Sequence, residues 1–173
     1  MAESVRPSRG GFTRPFGCGW FIREFLLGNG PYDTPRIDSN VGKPQSDVFY
    51  YYKNTLRLIT AQEKATKLEE KQAQRQGRAI DPDNIEKLAQ QYLERLPYKA
   101  WGCRYHSFVV YFSNLKRLDW VEVTGREEHS SFQDNYTEGQ PKTYYRLTDK
   151  GRGASDDEWR NPHGTLYGET KLR

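Results

Sequence analysis

Between His106 and Val123 the chain changes from the period of a helix to that of a strand, with no spacer between the two. Phe108, Phe112, Leu115 and Leu118 are four, three and three residues apart, which places them on one helix face over about His106–Leu118. Asp119-Trp120-Val121-Glu122-Val123 follows at once and alternates as a strand does. A polar stretch, REEHSSFQDNYTEGQPK, then separates this strand from a second one over Thr143–Thr148, and Asp149-Lys150-Gly151-Arg152 closes the run. Leu115 and Leu118 are expected to bury against the preceding helices. Val121 and Val123 are the expected inward residues of the first strand, and Tyr145 and Leu147 those of the second. Gly151 suits the turn that follows.

The upstream text is helical. Phe21 and Phe25, with Ile22 and Leu26, predict a helix over 18–27, stopped by Gly28-Asn29-Gly30-Pro31. Thr34-Pro35 reads as the cap and first residue of a short turn. A long helix is expected over 46–76, with Val48, Tyr52, Thr55 or Leu56, and Ile59 as its apolar stripe. Beyond Thr60 that stripe thins to Ala61, Ala65 and Leu68, so the distal half gains little from a core of its own and suits a partner contact or a homodimer. Between Lys53 and Arg78 there are seven Lys or Arg against three Glu, making this the most basic part of the chain. Asp81-Pro82-Asp83 supplies a cap, a proline at the first position and an acid in the first turn of a helix that Ile85, Leu88, Ala89, Tyr92 and Leu96 carry to Pro97.

Composition narrows the class. At 173 residues, with 35% hydrophobic residues and a mean hydropathy of −0.99, the core is lean and part of the chain is expected outside it. An aromatic share of 14% argues against wholesale disorder. Residues 1–17 read as a flexible arm with Arg6, Arg9 and Arg14 against Glu3, suited to a minor groove. Residues 153–173 read as a tail around Trp159 and Tyr167. No apolar run has membrane-spanning length, and the N-terminus lacks the apolar stretch of a signal peptide, so no membrane partner and a cytoplasmic location are expected. Cys18 and Cys103 make no disulfide framework.

The segment 83–152 resembles the winged helix-turn-helix modules of regulators of the MarR, PadR and ArsR kind. In those families a helix ending in Leu-x-x-Leu passes through a short corner into the first wing strand, and the second wing strand ends in Tyr-x-Leu-Thr-x-x-Gly. Here the matching positions are Leu115, Leu118, Trp120, Val121, Tyr145, Leu147, Thr148 and Gly151. Asp119-Trp120 stands where the corner glycine is usual, the turn between the two helices is long, and either 18–27 or the long helix can take the place of the first helix. The fold class so implied is mainly α with a small β-hairpin (α+β): a winged helix-turn-helix over 83–152, within a helical domain at 18–152, with an extra long helix and flexible termini.

The resemblance implies binding to double-stranded DNA in transcription regulation or within a nucleoprotein complex, with the second helix in the major groove and the wing on the backbone. The groove side of that helix would carry His106, Ser107, Val110, Tyr111, Asn114 and Arg117, with Arg104 at its start. Asn114 has the donor and acceptor that read adenine, and Arg117 those for guanine or phosphate. Arg126 and Lys142, near the strand ends, are the wing's phosphate contacts. The alternative is an adaptor or structural subunit that uses the same fold for protein contact, because Glu127, Glu128, Asp134 and Glu138 make the wing acidic. Neither reading involves catalysis. No glycine-rich phosphate loop, nucleophile–base spacing or carboxylate pair stands out, and no cofactor is implied. Cys103 and His106 lie three apart, but Cys18, His129 and His163 supply no second pair, so no metal is expected.

Overall fold

The computed structural model describes residues 17–97, 104–128 and 142–168. The basic arm, most of the loop between the two helices of the sequence motif, the centre of the wing and the last five residues of the tail lie outside the described residues. The protein is mainly helical with a small antiparallel sheet. In chain order the elements are α1 (Cys18–Leu26), β1 (Lys43–Pro44), α2 (Gln45–Gln76), α3 (Pro82–Arg95), α4 (Tyr105–Arg117), β2 (Val121–Glu128), β3 (Lys142–Leu147), α5 (Asp149–Gly153), α6 (Asp156–Arg160) and α7 (Pro162–Tyr167). The chain divides into two compact units, one made of Met1–Tyr52 with Tyr105–Arg173 and the other of Lys53–Arg104. Residues 45–52 of α2 therefore belong to the first unit and 53–76 to the second. Among the described residues no helix is long and apolar enough to cross a membrane.

An aromatic chain holds the first unit together. Phe21 of α1 packs on Tyr52 of α2 at 5.2 Å between ring centroids, and Tyr52 lies 6.2 Å from Phe108 of α4. Phe108 continues to Phe112 at 5.9 Å, and Phe112 meets Tyr145 of β3 edge-on at 5.3 Å. Each ring adds apolar burial and an oriented contact of about 0.5–1.5 kcal/mol. The sheet order is β1-β3-β2, all antiparallel, with Lys43 opposite Tyr145 and Val121 opposite Leu147. The β1 strand has no sequence signal, being two residues long and half proline. Val121 and Leu147 are buried as expected, but Val123 is 57% exposed, and on β3 the buried neighbour is Tyr144 while Tyr145 is only half-buried. A register shift sets in between Val123 and Glu127, with Gly125 at φ 82°, so the covered part of β2 ends sooner than the alternation suggests.

The tail folds in part. Ser155 and Glu158 form a reciprocal capping box at the start of α6, and Asn161 caps α7 ahead of Pro162. Trp159 is buried against Trp120 at 4.6 Å, and its indole N–H donates to the Gly151 carbonyl at 2.9 Å. Gly151 does not serve as a turn. It sits inside α5 against the Trp120 backbone, where a Cβ has no room. Thr34 likewise starts nothing: the chain turns one step earlier at Pro31–Asp33, with Tyr32 and Asp33 in left-handed backbone, and the Thr34 hydroxyl donates back to the Pro31 carbonyl at 2.6 Å.

The second unit is a pair of helices. Ala61 and Ala65 of α2 and Ala89 of α3 form its buried seam, with Ile85, Leu88, Tyr92, Leu93 and Leu96 packed against it. Alanines let two helix backbones approach closely without a large apolar core. Glu69 locks the turn. Its fully buried carboxylate accepts from the Arg78 guanidinium, the Asn84 amide and, at 3.0 Å, the Asp81 backbone N–H. These donors, Arg78 foremost, hold the carboxyl down to about 2 against the opposing effect of burial.

Candidate nucleic-acid interface

The first unit positions α4 and the hairpin as one piece. The end of α4 is a Schellman turn, with the Asp119 N–H bonded to the Lys116 carbonyl at 3.1 Å and the Trp120 N–H to the Leu115 carbonyl at 3.0 Å. Asp119 occupies the left-handed position at φ 59°, the place a glycine usually takes. Thr148 fastens the corner from the other strand. Its hydroxyl donates to the Asp119 carbonyl and accepts from the Gly151 N–H at 3.0 Å.

Three sides of α4 can be told apart. Phe108, Phe112 and Leu115 face the aromatic core. A second side meets α7 and α1. Here Asn114 is only 8% exposed, so it is unavailable to a base edge, contrary to its assignment as an adenine reader. Tyr111 is partly buried. Desolvation pushes its phenol well above the ordinary value, with Cys18 nearby adding to the rise and the Gly19 N–H, which donates to it, opposing. For Tyr111 the spacing agrees, since it lies three residues from Phe108 and four from Leu115 at the border of the apolar stripe; Asn114 lies off that stripe, on the side where α4 meets α7, in the segment expected to be a tail. The third side remains open. It carries His106, Val109 and Val110, the two valines being 37% and 53% exposed, with Lys116 and Arg117 at its end; Ser107, one turn before Tyr111 on the second side, is exposed as well.

The cations divide the same way. Arg117 is exposed, and its guanidinium donates to the Tyr167 hydroxyl of α7 at 2.8 Å. Lys116 lies over the Tyr145 ring at 4.7 Å. In the wing, Arg126 is exposed and stacks over Tyr144 at 4.9 Å. Lys142 is not a free phosphate contact, because its ammonium pairs with Asp47 in the first turn of α2 at 3.0 Å. Arg146, which carries no sequence signal of its own, pairs with Glu122 at 2.9 Å and donates to the Asn40 carbonyl at 3.2 Å. Arg104 is exposed but falls in the second unit, as does α3, so the helix at 83–96 does not share a compact unit with α4. Among the described residues no group of three or more His, Cys, Asp or Glu is placed to hold a metal ion.

No protein-family model, curated protein or solved structure matches this chain.

Proposed function

We propose that the first unit is a winged helix and that the protein binds duplex DNA through the open side of α4, without catalysing a reaction. The observation that carries this reading is the connectivity: helix, short strand, helix, helix, hairpin, with β1 added to β3 and α4 passing through the Asp119 corner straight into β2. On this reading α1 takes the place of the first helix, the start of α2 that of the second, and Lys53–Arg104 is an insertion before the recognition helix. His106 and Ser107 supply polar groups for base edges, Val110 suits a thymine methyl, and Arg117 and Arg126 suit phosphates.

A labelled random duplex titrated at two salt concentrations tests it. Binding should weaken steeply with salt, by about 0.9 in log–log slope for each phosphate engaged. Ser107→Glu with Val110→Glu, both on exposed positions, should abolish binding and leave thermal unfolding unchanged. No binding at low salt, or binding indifferent to salt, overturns the reading.

One observation favours a second reading, a protein adaptor. Tyr105, Val109 and Val110 expose apolar surface on α4, at 47%, 37% and 53%. In that case the same double variant releases a co-purifying protein, and duplex DNA has no effect on the complex.

A further inference from the structure

The part of α2 in the second unit carries two stripes. Ala61, Ala65, Glu69 and Ala73, four apart, make the buried side. Lys64, Lys67, Lys71 and Arg75, spaced by three, four and four, lie about a third of a turn away, and all four are exposed. At 1.5 Å per residue the row extends over about 17 Å.

Its charge is not balanced from within. Like charges three or four apart on a helix repel one another. Lys64, Lys71 and Arg75 have no acid at either spacing; Lys67 alone does, in Glu63 and Glu70. None of the four makes an ion pair or hydrogen bond among the described residues. The exposed side of α3 differs, with Asp83, Glu86 and Glu94 set among Lys87 and Arg95. A solvated helix gains from mixing the signs, as α3 does. A continuous row of cations lowers helix stability and creates a field of one sign, and that field is matched by a partner with closely and regularly spaced negative charge. Duplex nucleic acid has that property, with a phosphate every 3.4 Å of axis on each strand, so the row spans about five base-pair steps. Lysines bind phosphate as point charges, without reading sequence.

We propose that Lys64, Lys67, Lys71 and Arg75 form a second, sequence-independent contact with the backbone of duplex nucleic acid. This rests on the reading of the protein as a nucleic-acid binder, and it assigns to the second unit a share of affinity separate from that of α4.

The test compares the salt dependence of random-duplex binding for the full chain with that of two four-site variants. One is Lys64→Gln, Lys67→Gln, Lys71→Gln, Arg75→Gln. The other removes four cations off the row: Lys87→Gln, Arg95→Gln, Lys150→Gln, Arg152→Gln. Glutamine is a good helix former, so helical content by circular dichroism should be unchanged. The two half-row pairs, 64 with 67 and 71 with 75, provide milder versions. The row variant should lower the log–log slope by about 0.9 for each phosphate that the row no longer neutralises, while the control keeps the slope of the unaltered chain. Equal reductions in both variants, or none in the row variant, overturn the proposal and leave the α4 reading standing. An unaltered chain that fails to bind at low salt overturns both. A row variant that binds duplex normally but sediments as a smaller species makes the row a self-association surface and overturns the proposal.

Discussion

Asp119 is where a single side chain decides the geometry of the candidate site. Its left-handed backbone turns α4 into β2, and the corner bonds to Lys116 and Leu115 depend on it. Left-handed backbone costs an ordinary L-residue roughly 1–2 kcal/mol, with aspartate among the least penalised side chains. Asp119→Gly should therefore stabilise the protein, by up to about 1 kcal/mol, and Asp119→Val should destabilise it by about 1–2 kcal/mol, read as shifts in the urea midpoint at constant slope. If the glycine variant is markedly the less stable, the aspartate side chain is needed at the corner for a bond of its own. At this scale the sequence is legible where a side chain's partners are local and opaque where they are distant. Phe108, Phe112 and Leu115 announce their burial by spacing alone. Asn114 lies off that stripe and is buried on the side where α4 meets α7, about 50 residues further on, while Tyr111, at the border of the stripe, bonds to Gly19 of α1, about 90 residues earlier. Lys142 is likewise claimed by Asp47, 95 residues away.

At the scale of elements, caps are the most dependable text. Asp81-Pro82-Asp83 opens α3 as its residue types predict, with the Asp81 carboxylate accepting from the Asp83 N–H at 3.0 Å. The same grammar stands in Ser155-x-x-Glu158 and Asn161-Pro162, which open α6 and α7 inside the segment expected to be a tail. What no local signal carries is the pairing of β1, whose two residues gain their strand geometry from β3. The turn of the second unit has its own chemical signature. Because Glu69 is held down to about 2 in the folded state, against a usual 4.5, its contribution is complete above the usual value and fades as the pH falls through that interval. Hydrogen exchange should show α3 losing protection between pH 4.5 and about 2, ahead of α4. Glu69→Gln, which keeps the shape and removes the charge, should show that reduced protection already at neutral pH. Equal protection of α3 in variant and parent would mean that the alanine seam alone holds the two helices.

For the molecule as a whole, the division into two units makes a prediction about what can be removed. The first unit's chain leaves at Tyr52 and resumes at Tyr105, and the rings of Phe49 and Tyr105 stand 5.1 Å apart. Replacing residues 53–104 by a short glycine–serine linker should leave a chain that unfolds cooperatively and keeps the near-ultraviolet signal of the Trp120–Trp159 pair. A chain without that signal would show that the inserted segment is needed for the first unit to fold. Sequence periodicity does not reveal this division, because α2 runs through it without a break.

The sheet order also sets a timetable. Lys43 has its neighbour in Tyr145, about a hundred residues later, whereas Glu69 finds Arg78, Asp81 and Asn84 within fifteen. Contacts of low sequence separation form quickly and those of high separation slowly. During synthesis the inserted helices can close while the rest of the chain is still being made, but β1 has to wait as an unpaired edge until β3 has left the ribosome. The aromatic helices of the first unit pass that interval without their sheet, and that is when the nascent chain is most open to aggregation.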